Sequence, residues 1–280
     1  MNNSELGSIV FGLISAASWG AGDFSGGLAT KRANVYGVVV ISQVVGVICL
    51  IVLALLLRET IPPFTDWVWG GAAGIAGALG ILCLYRALAT TRMGIAAPVS
   101  AVVTATVPVI FAIFTQGLPA TYKLIGFVIA LIAVWLTSQS DGGRIRVSDL
   151  TMPLLAGIGF GSFLILIDQG NDVSVLWSLV AARFASIVMM IGVIATTRQA
   201  WRPAAPQLKI IGLAGILDTG GNLFYSLAAQ TGYLAQAAVL SSLYPAATVM
   251  LALMILREKL HRVQMLGVVL AVVAIALIAV

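Results

Sequence analysis

Apolar residues run along this chain in blocks of about twenty, and charge, proline or glycine interrupts each block. The blocks fall near 7–29, 35–57, 67–88, 95–116 and 123–139, then 151–170, 174–196, 209–229, 235–256 and 263–280. A hydrocarbon core about 30 Å thick needs roughly 20 apolar residues per helix. Lipid offers no partner to backbone N–H and C=O groups, so runs of this length are helices rather than strands. The pattern predicts an all-α polytopic membrane protein with ten transmembrane helices. The first block follows a leader, MNNSELG, that carries Glu5 and no basic residue. It outlasts the apolar region of a signal peptide and reads as a retained helix.

The second five blocks repeat the first five. Gly80 answers to Gly220, Tyr85 to Tyr225, Gly126 to Gly267 and Gln43 to Arg183, at offsets of 140 or 141. Gly12 and Asp23 align with Gly157 and Asp168 at a drifted offset of 145. The chain divides into a first repeat over 1–140, a linker loop over 141–150 and a second repeat over 151–280. Five spans is an odd number, so the second repeat enters the bilayer upside down. A 5+5 inverted repeat places its site at mid-membrane, between the halves.

Composition narrows the class. Apolar residues make up 60% and charged residues 9%, and mean hydropathy is +1.08. A soluble domain carries about 25% charge. The net charge of +5 speaks to orientation and not to nucleic acid, because the basic residues sit in loops and never form a run. Connections after spans 1, 3, 5, 7 and 9 hold eleven Lys and Arg, from Lys31 and Arg32 to Arg257, Lys259 and Arg262, while the opposite side holds only Arg58 and Lys123. Basic loops stay cytoplasmic, which predicts a bacterial inner membrane protein with both termini periplasmic. Cys49 and Cys83 lie in apolar blocks and read as small buried hydrophobes.

Glycine marks close helix contacts. Gly70, Gly74, Gly77 and Gly80 line span 3, and Gly22-x-x-x-Gly26 and Gly157-x-x-x-Gly161 occur in spans 1 and 6. Small residues let helix backbones approach where lipid supplies no hydrophobic drive. The stripes fit packing within a monomer, with a homodimer face as the alternative.

Ionisable groups near the bilayer centre cost about 2.5–3.5 kcal/mol each on insertion scales, so each calls for a partner or a wet cavity. Arg183 and Asp218 fall halfway along spans 7 and 8, and an ion pair between them is expected. It reads either as a site for a substrate carboxylate and a coupling proton, or as a static register pin. Asp218, Asn222 and Tyr225 share one face of span 8 at i, i+4 and i+7. Tyr85 and Tyr225 would approach the midline from opposite halves as cavity walls. Trp19 and Asp23 share a face of span 1, and Asp23 and Asp168 would stand at opposite mouths as gating groups or as helix-end caps. Spans 4 and 9 add Ser100, Thr104 and Pro108, and Gln236, Ser241, Tyr244 and Pro245. The prolines read as bends or hinges. The hydroxyls either line the cavity or bond back to their own helices.

Trp19-Gly20 in span 1, Arg86-Ala87-Leu88 closing span 3, proline in spans 4 and 9, and Arg257-Glu258-Lys259-Leu260 before Gly267 together resemble the drug/metabolite transporter superfamily. More narrowly they resemble its ten-helix EamA-type members, over essentially the whole chain. The first repeat departs from the pattern, with Gln116-Gly117-Leu118 where the family has a loop glutamate. The resemblance implies a carrier of small organic solutes that works without a cofactor, often an exporter of amino acids or other metabolites. Overall, the chain is similar to aromatic amino-acid exporters of the YddG type. A cavity with Trp19, Gln43, tyrosines, Arg183 and Asp218 suits a zwitterion with an apolar or aromatic side chain. Drugs, sugars or nucleotide derivatives are the alternative cargo.

Other classes fit poorly. A membrane enzyme needs clustered His, Asp, Ser or metal ligands; the one histidine, His261, lies in a basic loop, and GxSxG, HExxH and phosphate-loop motifs are absent. A channel needs filter carbonyls or rings of charge, and no segment reads that way.

Overall fold

The computed structural model describes residues 3–116, 121–137, 147–170, 173–198, 201–202, 205–230, 240–241 and 243–279. Ten helices lie among them: α1 (Asn3–Thr30), α2 (Val35–Leu56), α3 (Phe64–Thr90), α4 (Met93–Gln116), α5 (Thr121–Thr137), α6 (Val147–Asp168), α7 (Val175–Thr197), α8 (Ala205–Gln230), α9 (Tyr244–Ile255) and α10 (Arg262–Ala279). The described residues contain no strand. Five helices, α2, α3, α6, α7 and α8, are long and apolar enough by themselves to cross a membrane. Large apolar side chains such as Leu56, Phe114, Leu131, Phe184 and Met254 cover the outside, as a lipid-facing surface requires. The chain is an integral membrane protein.

Local signals recur between the halves. Asn34 caps α2 by accepting from the Tyr36 N–H at 2.9 Å, and Ser174 caps α7 by accepting from the Trp177 N–H at 3.2 Å. These caps are 140 positions apart. The helices they open close alike, on Arg58 (φ 54°) and Arg198 (φ 51°) in the left-handed region. At Arg58 this conformation lets the Glu59 N–H reach back to the Ala54 carbonyl at 3.0 Å, which satisfies a carbonyl the helix leaves open.

Packing then sets the relation between the repeats. α1 packs on α8 and α6 on α3, which is the same contact seen from either half; α2 meets α7, α4 meets α9, and α5 meets α10. Along α1 and α8 the contacts run in opposite directions: the Ser15 hydroxyl donates to the Gly221 carbonyl at 2.8 Å, while Gly22 lies against Ala214 and Asp218. α4 and α6 run the same way, with Gly157 against Ser100 and Val103, and Gly161 against Thr104 and Val107. α3 and α7 also run together, with Gly70 on Ser178 and Gly74 on Ala182. Successive spans alternate, so α6 points opposite to α1 and the second repeat is inverted. Both ends of the described chain consequently lie on one face.

The same contacts correct the register of the first span. Trp19 lies on Gly221 where Phe160 lies on Gly80, and Gly20 lies on Tyr244 and Ala247 where Gly161 lies on Thr104 and Val107. α1 therefore matches α6 at 141, as α3 matches α8, which pairs Gly80 with Gly221 rather than Gly220 and Tyr85 with Ser226 rather than Tyr225. The drift to 145 came from aligning glycines and acids by type, whereas packing aligns the positions that share a neighbour. Asp23 corresponds to Leu164, not to Asp168, and Asp218 corresponds to Gly77.

Span 9 also differs from expectation. Pro245 sits in the first turn of α9 behind Leu243, where a missing N–H breaks no helical bond. It opens this helix, and the helical residues 240–241 lie just before it. In α4, by contrast, Pro98 and Pro108 both lie inside the helix.

Candidate mid-membrane polar site

α1 and α8 are poor in apolar residues for membrane helices, and their polar positions meet each other. Beside them, Gly46 of α2 leaves space that a Cβ would fill, 3.1 Å from Thr219 Oγ1 and 3.6 Å from Arg183 Nε. Into this space the Arg183 guanidinium extends from α7. Its Nη2 donates to Asp218 Oδ2 on α8, forming the expected ion pair. Its Nη1 donates to Gln43 Oε1 on α2. Gln43 is 4% exposed, whereas the Arg183 and Asp218 side chains are 13% and 25% exposed. The pair is therefore open on one side at a depth where water is absent from lipid.

Arginine offers five N–H donors in a rigid fork, and two are engaged in these bonds. Among the described residues the others meet no acceptor, which leaves them for one arriving from the open side. Asp218 keeps its second oxygen, Oδ1, outside the bond to Arg183. This arrangement can take a carboxylate at Arg183, or a proton or cation at Asp218.

An aromatic group adjoins the charged one. The Trp19 ring centre lies 5.9 Å from that of Tyr225 and 6.3 Å from that of Tyr244 in an edge-on contact. Trp19 fits only because Gly221 has no side chain beneath the indole. The Thr248 hydroxyl donates to the Gly20 carbonyl at 3.0 Å, and Ser241 Oγ lies 3.5 Å from the Gly12 carbonyl it donates to. Both tie α1 to the α9 region. A Cβ on Gly22 would lie 3.3 Å from the Asp218 nitrogen, which puts Asp23, the next residue, level with the Arg183–Asp218 pair. Asp23 is seven residues before the end of α1, about 10 Å along the axis.

The remaining expected residues divide. Tyr85 is 1% exposed, its ring pressed on Gly26, so it is core rather than a cavity wall. Ser100 is buried and its hydroxyl has no hydrogen-bond partner among the described residues. Asn222 turns back to its own helix, Nδ2 donating to the Asp218 carbonyl at 2.8 Å. Asp168 ends α6; its side chain, and Gln236, lie outside the described residues.

One contact escaped sequence reasoning. The Glu258 carboxylate, in the α9–α10 connection, accepts from the Met93 and Gly94 N–H groups at 3.1 and 3.2 Å. It thereby caps the start of α4, and Arg92 Nη1 donates to the Lys259 carbonyl beside it at 3.3 Å. Arg257-Glu258-Lys259-Leu260 was visible as a motif, but its partner lies 165 positions away, beyond any local pattern.

Two inverted five-helix repeats enclosing a polar cluster at mid-membrane define a transporter of the inverted-repeat class. The EamA-like transporter family matches the chain twice, over residues 6–139 and 148–280. The chain belongs to the EamA-like transporter family, and so is a membrane transporter of small solutes. No curated protein matches it. A solved crystal structure aligns over 96% of this chain and 95% of its own with a TM-score of 0.64 and 15% identical residues. At that identity the likeness speaks to the fold alone.

Proposed function

We propose that this protein is a secondary carrier that exports small zwitterionic solutes, amino acids with aromatic or apolar side chains foremost, by alternating access across a bacterial inner membrane. The observation that carries this reading is the partly open Arg183–Asp218 pair, held by Gln43 between two inverted repeats. Inverted repeats supply two gating arrangements of similar energy around one fixed site. Arg183 binds the substrate carboxylate with its unused donors, and Trp19, Tyr225 and Tyr244 face the apolar side chain. Asp218 carries a coupling proton. The basic loops support placing both termini in the periplasm.

Counterflow tests the reading. Proteoliposomes loaded with excess unlabelled phenylalanine should take up labelled phenylalanine faster than empty ones, and a panel of amino acids, sugars and nucleotides should rank aromatic amino acids first. Equal rates with and without internal substrate count against a carrier. Acceleration by sugars or nucleotides alone keeps the carrier and removes the amino-acid assignment.

A further inference from the structure

We propose that Asp23, together with Trp19, Tyr225 and Tyr244, forms a subsite for an organic ammonium group, separate from the Arg183 guanidinium. The proposal rests on the carrier reading only in taking this mid-membrane layer as the place where solute sits.

The first ground is the want of a resident counter-ion. Four basic residues lie within the spans; Lys123 and Lys209 stand at the first positions of theirs, and the other two are engaged elsewhere. Arg183 pairs with Asp218 and Gln43. Arg86 donates to the Tyr36 hydroxyl at 2.6 Å and covers the Tyr36 ring, with its guanidinium carbon 5.1 Å from the centre. Among the described residues, no hydrogen bond or ion pair reaches the Asp23 carboxylate. A carboxylate at this depth requires a proton or a cation.

The second ground is what surrounds it. Asp23 is one helical turn from Trp19 on the same face of α1, and Tyr85 and Tyr244 lie within electrostatic reach of its carboxylate. Asp23, Trp19, Tyr225 and Tyr244 are all only partly buried, unlike Tyr85. Aromatic faces carry the negative part of the ring quadrupole and attract ammonium groups. A carboxylate beside such rings recognises a charged amine with a flat or apolar body. Metal ions would demand more oxygen ligands than one carboxylate supplies.

The third ground is symmetry. The packing register places Leu164 at the position matching Asp23, and Phe160 at that matching Trp19. An apolar residue serves this position in the other repeat, so the shared fold does not require the acid. With Arg183 on α7 and Asp23 on α1 at one level, the layer offers a cation and an anion to the two ends of a zwitterion.

Calorimetric titration of the purified full chain tests the subsite, with phenethylammonium as the probe and 2-phenylethanol as its uncharged isostere. The unaltered protein should bind the amine at least tenfold more tightly than the alcohol. Asp23→Asn should erase the preference, and Asp23→Glu should keep part of it. No preference in the unaltered protein, or a preference that survives Asp23→Asn, overturns the proposal; the second result moves the cation to Asp218. Should Asp23→Asn fail to fold, the unaltered protein decides through carbodiimide labelling read by mass spectrometry. The amine must slow labelling of Asp23 and the alcohol must not; otherwise the site is lost. Counterflow on the same preparation separates the two readings. A chain that binds the amine at Asp23 without counterflow loses the carrier and keeps the subsite. One that exchanges solute without cation preference loses the subsite alone.

Discussion

Arg183 donates to Gln43, the residue that holds its own place in the other repeat, 140 positions away. Two residues related by a two-fold axis can touch only beside that axis, so this bond locates the pseudo-dyad between α2 and α7. Tyr244 and Thr104, also 140 apart, lie within side-chain reach of each other between α9 and α4 and give a second point on it. The charged pair is thus built on the axis and then breaks it, because Asp218 has Gly77 as its counterpart.

Removing one member of a buried ion pair strands the other charge, at a cost of about 3–5 kcal/mol when burial is complete. The partial exposure of both groups lowers this to roughly 2 kcal/mol. Arg183→Met should therefore lower the melting temperature in detergent, and Arg183→Met with Asp218→Leu should recover it. Transport should stay lost in the double variant. Recovery of transport along with stability would make the pair a structural pin.

Asp218 carries a separate prediction about coupling. Asp218→Asn should abolish accumulation of substrate against its gradient while counterflow continues, because exchange needs no net proton movement. Concentrative transport by Asp218→Asn vesicles would remove the proton role.

Gly26 and Tyr85 should behave as one packed unit. A Cβ on Gly26 would overlap the Tyr85 ring, and overpacking of this kind costs about 1–3 kcal/mol. Gly26→Ala should destabilise the protein by that amount, and adding Tyr85→Leu should return part of it. Thermal melting of the two single variants and the double variant measures the coupling; purely additive effects would contradict the contact.

Glu258 should hold the start of α4. Losing a side-chain cap costs about 0.5–2 kcal/mol, and here two N–H groups lose their acceptor. Amide hydrogen exchange at Gly94 should quicken in Glu258→Ala, with α7 and α8 unchanged. Unaltered exchange at Gly94 would show that the cap does not form.

Much of this architecture is a property of the chain read alone. Apolar blocks of membrane length, their number in each half, and the recurrence of Asn34 as Ser174 and of Arg58 as Arg198 are local features, and parity then forces the inversion. The meeting of Arg183 with Asp218 was legible too, because unpaired charge in lipid is costly and consecutive helices bring the two to one depth. Tertiary packing decided the rest. Whether a tyrosine faces a cleft or a neighbour depends on helix rotation, and a glycine on another helix turned Tyr85 inward. The match of Asp23 to Leu164, the partial exposure of Asp218 and Trp19, and the grip of Glu258 on α4 all depend on which small residues let which backbones approach. Residues some 140 to 230 positions apart make these contacts, and apolar periodicity within one helix carries no information about them.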